Sequence, residues 1–263
     1  MIILIIINII ITINTIQINT QMNTQMNTQM NTQTNTQMNT QMNTQTNTQT
    51  NTQTNTSKKW FIIEGNIGSG KTTLIQKLKE IQKYEVIEEP VNEWLSIKGD
   101  DNKNLLGLFY ENPQKYAYLF QSIVFKTRLK SLDHIQEKNI RFSERSIWTD
   151  KYIFGASCIE SGKMNELEKN CYYSWFNWLE EKFNPTPTGI IYVKTSPEKC
   201  RERINKRNRS EEDNIPFEYL KELDKRHDNW LLNWNKMPVL IIDNEKDDQW
   251  EYILSKIYKF IED

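Results

Sequence analysis

An α/β domain on a five-stranded parallel sheet, with helices on both faces, is the fold this chain predicts. Three observations carry it. Short apolar runs, largely β-branched, recur at Trp60–Ile63, Tyr84–Ile87, Ile140–Phe142, Gly189–Val193 and Val239–Ile242. Long stretches with helical spacing separate them, the alternation that a parallel sheet requires. The first run leads directly into Gly65-Asn66-Ile67-Gly68-Ser69-Gly70-Lys71-Thr72-Thr73. That segment fits G-x-x-x-x-G-K-[ST], a turn from strand to helix whose backbone N–H groups cradle phosphate.

The elements follow in order. Trp60–Ile63 reads as the central strand, and Thr73–Leu78 as the helix after the loop. Glycine lets the loop curl with its N–H groups inward, and the helix start adds its positive dipole end. Lys71 adds a point charge, and the Thr72 hydroxyl is suited to a magnesium ion. These features predict binding of a nucleoside triphosphate. Pro113–Ile135 is the longest helical stretch, with Tyr116, Leu119, Phe120, Ile123, Val124 and Leu129 near one face. Further helices are expected at 163–182, 196–207, 217–233 and 247–262. In open parallel sheets ligands bind beyond the carboxyl ends of the strands, so chemistry is sought just after each strand.

Composition divides the chain. Lys58 is the first charged residue, and all 33 basic and 34 acidic side chains lie from there onward. The domain is therefore assigned to residues 58–263. Net charge is −1, which leaves no footprint for nucleic acid or a membrane surface. From Asn19 to Thr54 a unit Asn-Thr-Gln-Met or Asn-Thr-Gln-Thr repeats nine times. Such a tract buries too little apolar surface to offset chain entropy, so residues 1–57 are expected to form a low-complexity, disordered tail. Residues 2–11 are almost all isoleucine, too short to span a bilayer, and no arginine precedes the domain to make a mitochondrial transit peptide. A cytoplasmic location is the expectation. Cys158, Cys171 and Cys200 have no metal spacing and an odd count, which predicts reduced thiols. His134 and His227 are expected at surface or capping positions.

The strand tips carry the remaining chemistry. The second ends at Glu88-Glu89-Pro90-Val91-Asn92-Glu93-Trp94, and the third at Glu144-Arg145-Ser146. After the fourth strand and part of a helix comes Arg201-Glu202-Arg203-Ile204-Asn205-Lys206-Arg207-Asn208-Arg209-Ser210-Glu211-Glu212. Transfer of a phosphoryl group to a hydroxyl needs a carboxylate to orient the hydroxyl and take its proton. Glu89, before a proline, is the candidate, with Glu88 as competitor. Arg145, Arg203, Arg207 and Arg209 supply forked, permanent charges suited to a moving phosphoryl group, and a spacing of four puts Arg203 and Arg207 on one helical face.

Together with Gln121, these blocks resemble the deoxynucleoside kinase family over essentially Lys58 to Asp263. The resemblance implies a P-loop kinase that uses ATP and Mg²⁺ to phosphorylate the 5′-hydroxyl of a deoxynucleoside in nucleotide salvage. It selects Glu89 as base through the Glu-Pro-Val-x-x-Trp spacing and makes 201–212 a lid over the donor phosphates. It places Glu144 near the magnesium, Tyr110 and Glu212 on the sugar 3′-hydroxyl, and Trp94, Phe120 and Phe154 around the base. Asp243 is assigned to the donor side with the loop that runs to Asp247. A homodimer through long helices is implied by the family alone.

The resemblance also bears on the acceptor base. Gln121 carries an amide able to pair with a base edge. Arg128 and Asp150 resemble the deoxycytidine, deoxyguanosine and deoxyadenosine kinases rather than thymidine-accepting members. Asp150 can accept from an exocyclic amine, whereas facing thymine's carbonyl it leaves both groups unsatisfied, at about 1–3 kcal/mol. Two alternatives stand beside this reading. A nucleoside monophosphate kinase shares the loop and lid but typically reads Asp-Arg-aromatic where this chain reads Glu144-Arg145-Ser146. A non-catalytic, kinase-shaped subunit could lose Lys71 or Glu89, which this chain keeps.

Overall fold

A computed structural model describes residues 58–99, 102–132, 135–183, 186–213 and 215–262. The tail, its repeat, the isoleucine run and His134 lie outside the described residues. All described residues belong to a compact unit spanning Thr56–Asp263.

Five strands form one parallel sheet: β1 (Lys59–Glu64), β2 (Glu85–Ile87), β3 (Ile140–Glu144), β4 (Gly189–Lys194) and β5 (Val239–Asp243). Their spatial order is β2-β3-β1-β4-β5, so the strand that feeds the phosphate loop is central. Register pairs Ile63 with Glu144 on one side and with Ile191 on the other, which brings the tips of β1, β3 and β4 side by side. Each predicted strand is present; β1, β3, β4 and β5 run one or two residues beyond the predicted carboxyl end, and β2 starts one residue later than predicted, at Glu85.

Alternation along the strands sorts side chains to two cores. Ile62, Ile190 and Tyr192 pack on one face, while Phe61, Ile63, Phe142, Ile191, Val193 and Ile242 pack on the other. The second face is covered by α1 (Lys71–Glu80), through Leu74, Ile75 and Leu78, and by the C-terminal helix, through Ile253, Ile257 and Ile261. The first face carries most remaining helices. Two short ones, α2 (Val91–Ser96) and α3 (Leu105–Glu111), precede the long α4 (Pro113–Leu132). Asn104 caps α3, its Oδ1 accepting from Gly107 N at 2.8 Å.

After β3 the chain stays helical in three pieces: α5 (Ile147–Thr149), a π-helical segment (Asp150–Gly155) and α6 (Ala156–Glu160). Then come α7 (Glu166–Phe183), α8 (Pro197–Arg207), a 3₁₀ turn (Ser210–Glu212), α9 (Phe217–Leu231) and α10 (Trp250–Glu262).

Three expectations are corrected. Leu119, counted on the apolar face of α4, is half exposed. His227 is fully buried rather than at the surface; its Nδ1 faces Leu223 O at 2.7 Å and its ring stacks on Tyr192. The helical arginine and aspartate neighbours of His227 gave it a polar look, but it lies on the inward face of α9 with Leu220, Leu223 and Trp230. Helices α2, α3, α5 and α6 were not expected, being shorter than the windows in which helical periodicity can be read.

Candidate active site

All predicted site residues except Gly65, Asn66, Ser69 and Asp243 line one cavity of about 730 Å³ at the carboxyl end of the sheet. At its floor the phosphate loop is closed by side chains from after β4, from after β5 and from α8. Gly68 takes φ +78°, and a Cβ there would press on the Cys200 carbonyl oxygen, so only glycine fits. Asn66 braces the loop, its Nδ2 donating to Leu220 O and its Oδ1 accepting from Ile67 N, both at 2.8 Å. The Ser69 carbonyl accepts from Thr195 Oγ1 (3.0 Å), Asn244 Nδ2 (2.8 Å) and Arg203 Nη1 (3.3 Å). α1 starts at Gly70 with no side chain capping its first turn, which leaves those N–H groups for phosphate oxygens.

Lys71 is buried and donates to Asn66 O at 2.7 Å. Burial, aided by Arg145, pushes its pKa down to about 8, against the opposing pull of Glu144 and Glu89. Thr72 Oγ1 donates to Glu144 Oε1 at 3.0 Å. Burial, then the charge of Glu89, raises the Glu144 pKa. A hydroxyl and a carboxylate fit magnesium, which takes hard oxygen ligands and completes its shell with phosphate oxygens and water.

The acceptor half is built around Arg128 and Arg145. Arg128 Nη2 donates to Glu89 Oε1 at 2.8 Å, its Nε to Asp150 Oδ2 at 3.3 Å and its Nη1 to Glu144 O at 3.3 Å. Arg145 Nε lies 3.2 Å from the same Glu89 oxygen, and its guanidinium stacks over Phe154 at 4.7 Å. Burial alone would raise the pKa of Glu89, but Arg145, Arg128 and Lys71 outweigh it and hold the carboxyl below its ordinary value. Glu88 pairs instead with the exposed Lys79.

Asp150 is almost fully buried, and burial pushes it up to about 7 against the pull of Arg128. Its Oδ1 and the Gln121 Oε1 have no hydrogen-bond partner among the described residues. Buried orphan acceptors on a cavity wall are costly unless a ligand satisfies them. Trp94 and Phe120 meet edge to face at 5.4 Å.

The lid arginines divide. Arg203 reaches the loop through Ser69 O and pairs with Asp247 Oδ1 at 2.8 Å. Arg207 and Arg209 both pair with the buried Glu212, the latter at 2.9 Å. Tyr110 lines the same cavity; burial and the Glu212 charge raise its phenol pKa.

Asp243 lies outside the lining. It ends β5 facing solvent, its Oδ1 accepting from Glu245 N at 3.1 Å, while Asn244, one residue on, turns inward. Asn244 belongs to the loop assigned to the donor side, whereas Trp250 and Phe109 line the cavity without having been expected there. Phe109 stacks on Phe120 at 4.7 Å, and its signal was the apolar run Leu105–Tyr110 after Asn104. Trp250 lines the donor end beneath Lys77, marked in sequence only as an aromatic opening the last helix.

A central strand, a phosphate loop and an arginine-bearing helix closing over it define the class, a P-loop phosphotransferase. The model of the deoxynucleoside kinase family matches residues 61–262, and the chain belongs to that family. It is 36% identical over 236 residues to deoxycytidine kinase 2 of Gallus gallus, across 76% of this chain and 89% of that one. It is 33% identical over 232 residues to deoxycytidine kinase of Homo sapiens, with the same coverage of 76% and 89%. Mitochondrial thymidine kinase 2 of Homo sapiens is 35% identical over 201 residues, across 75% of this chain and 74% of the relative. The monophosphate kinase and the non-catalytic subunit give way to this assignment.

Proposed function

We propose that this deoxynucleoside kinase transfers the γ-phosphoryl group of ATP to the 5′-hydroxyl of deoxycytidine, deoxyadenosine or deoxyguanosine in preference to thymidine. The observation that carries the preference is the pair of buried, unpartnered oxygens, Gln121 Oε1 and Asp150 Oδ1, on the wall of the acceptor cavity. Identity does not separate the bases, because deoxycytidine and thymidine kinases match this chain about equally well. The chemistry of the wall supports the preference. An ionised Asp150 accepts from an exocyclic amine and repels a carbonyl.

In the mechanism, the loop amides and Lys71 hold the donor phosphates. Glu89, kept ionised by Arg128 and Arg145, orients the 5′-hydroxyl and takes its proton as the oxygen bonds to phosphorus. The bond to the bridging oxygen breaks and ADP leaves. Arg145 and the lid arginines Arg203, Arg207 and Arg209 offset charge on the transferred group. A magnesium ion held by Thr72 and Glu144 would supply further neutralisation of the phosphate oxygens. Tyr110 and Glu212 hold the sugar 3′-hydroxyl, with Phe120 and Trp94 against the base.

The catalytic domain is residues 58–263, acting in the cytoplasm. It dimerises through α4 and α7, a reading supported by the exposed Leu119 on α4 and the exposed Trp175 and Trp178 on α7, whose rings meet edge to face at 6.0 Å. Among the described residues no helix is long and apolar enough to cross a membrane. Initial rates with ATP on all four deoxynucleosides at equal concentration test the reading. Thymidine as the fastest acceptor would overturn the preference, and sedimentation as a monomer would overturn the dimer.

A further inference from the structure

Arg145 is a non-glycine residue with φ +63°, a left-handed conformation that persists only where the surroundings impose it. Three consecutive residues at the end of β1 do so. Ile63 O accepts from Arg145 N at 2.9 Å, and Gly65 O accepts from Arg145 Nη1 at 3.1 Å. Between them stands Glu64, with no exposed surface. Its Oε1 accepts from Ser146 Oγ at 2.7 Å and from Thr149 Oγ1 at 2.5 Å. Those two hydroxyls are also the reciprocal cap of α5: Ser146 N donates to Thr149 Oγ1 at 3.0 Å, and Thr149 N to Ser146 Oγ.

We propose that Glu64 is a positioning residue. Its carboxylate clamps the turn 145–150, so that Arg145 on one side of the clamp reaches Glu89 and Asp150 on the other faces the acceptor cavity. A buried carboxylate is costly to keep, and an apolar residue would fill the end of β1 more cheaply. What an apolar residue cannot do is accept from two hydroxyls at once. The clamp is one-sided: β1 is held by β3 and β4 whether or not Glu64 is present, whereas the turn after β3 has no ladder of its own. Losing Glu64 therefore loosens the acceptor half and spares the donor loop.

The consequence for turnover rests on the kinase reading above, so the test joins a structural readout to a kinetic one on the full chain. In Glu64→Ala, amide hydrogen exchange over 145–150 is expected to quicken about tenfold or more, with β1 amides unchanged. The KM for deoxycytidine should rise about tenfold with the KM for ATP within about twofold, and Glu64→Gln, which keeps one oxygen acceptor, should stay within about threefold of the parent on both. Unchanged exchange over 145–150, or β1 and the ATP KM moving equally with the turn and the acceptor KM, overturns the proposal. If Glu64→Ala does not fold, Ser146→Ala and Thr149→Val each remove one of the two bonds to the carboxylate together with one half of the α5 cap, with the same direction expected for both. A parent chain that phosphorylates no deoxynucleoside defeats the functional reading instead, and the exchange data still decide the role of Glu64.

Discussion

Arg128 and Glu89 are joined end to end, guanidinium Nη2 to carboxylate Oε1 at 2.8 Å, across the floor of the acceptor cavity. The other edge of the same guanidinium faces Asp150 at 3.3 Å. One cation thus serves both the residue proposed to handle the reacting hydroxyl and the residue proposed to read the base. Arg145 supplies Glu89 with a second positive neighbour at 3.2 Å, and among the described residues Asp150 has no second cation at that range. The two carboxylates are driven apart: Glu89 is held below its ordinary pKa and Asp150 is raised to about 7.

Glu89→Gln keeps the shape of the cavity and removes the proton acceptor. The kcat is expected to fall by about 10²–10⁴ while acceptor KM stays within about threefold. Steady-state kinetics with deoxycytidine and saturating ATP check it, and near-normal turnover would remove Glu89 from its role. Because Arg145, Arg128 and Lys71 stabilise the ionised form, the acid limb of kcat assigned to Glu89 should lie below the range of an ordinary glutamate.

Asp150 predicts a pH dependence of a different kind, in binding rather than turnover. The ionised carboxylate accepts from the amine of cytosine, and the protonated form can donate to the carbonyl of thymine. Protons compete with deoxycytidine below the pKa of about 7. The sign is definite. As pH falls from 8 to 5.5 the KM for deoxycytidine should rise, approaching tenfold per unit well below the pKa, while the KM for thymidine falls or holds. Parallel profiles for the two nucleosides would contradict the assignment of Asp150 to the base edge.

Replacing the pair tests the same wall from the other direction. Arg128→Met with Asp150→Ala removes the acceptor that faces thymine's carbonyl. The ratio of thymidine to deoxycytidine kcat/KM should rise by about 5–150-fold, the equivalent of 1–3 kcal/mol for one unsatisfied buried group. An unchanged ratio would mean that neither residue reads the base. Because Arg128 also holds Glu89, overall kcat should drop in the double variant, and the ratio is therefore the quantity to compare.

Much of this site could be read before folding because its signals are local. The phosphate loop spans nine consecutive residues, and the five strands are contiguous apolar runs whose tips gather wherever a parallel sheet forms. What could not be read depends on pairs distant in sequence. The partner of Glu64 lies 82 residues away at Ser146, and Asn244 reaches Ser69 across 175. His227 illustrates the limit within one helix. Its sequence neighbours are charged, and only the packing of α9 against the sheet buries its ring on Tyr192. Within the loop that begins at Asp243, which side chain faces the cavity depends on strand alternation: successive residues leaving a strand face opposite ways, so Asp243 meets solvent and Asn244 the cavity.

The π-helical segment that carries Asp150 makes a prediction about stability and acceptor binding together. Such segments carry an i→i+5 ladder, which leaves some carbonyls free for other donors. Here Tyr172, buried on α7, donates from its hydroxyl to the Asp150 carbonyl at 2.7 Å and so fixes the residue's backbone from below. Gly155 makes this approach possible. Its φ of −64° is ordinary for any residue, so the requirement is space: a Cβ there would meet the Tyr172 hydroxyl and its ring carbon Cζ at 2.5 Å. Gly155→Ala must displace Tyr172 or the segment. Overpacking of about 1–3 kcal/mol should lower Tm by roughly 2–10 °C. If the tyrosine gives way, the Asp150 carbonyl loses its anchor and the KM for deoxycytidine rises alongside the fall in Tm. Tyr172→Phe separates the two effects, since it removes the hydrogen bond and leaves the packing. It should raise acceptor KM with only about 1 kcal/mol lost in stability. A Tyr172→Phe variant with parental KM would show that the π-helical backbone positions Asp150 without help from α7.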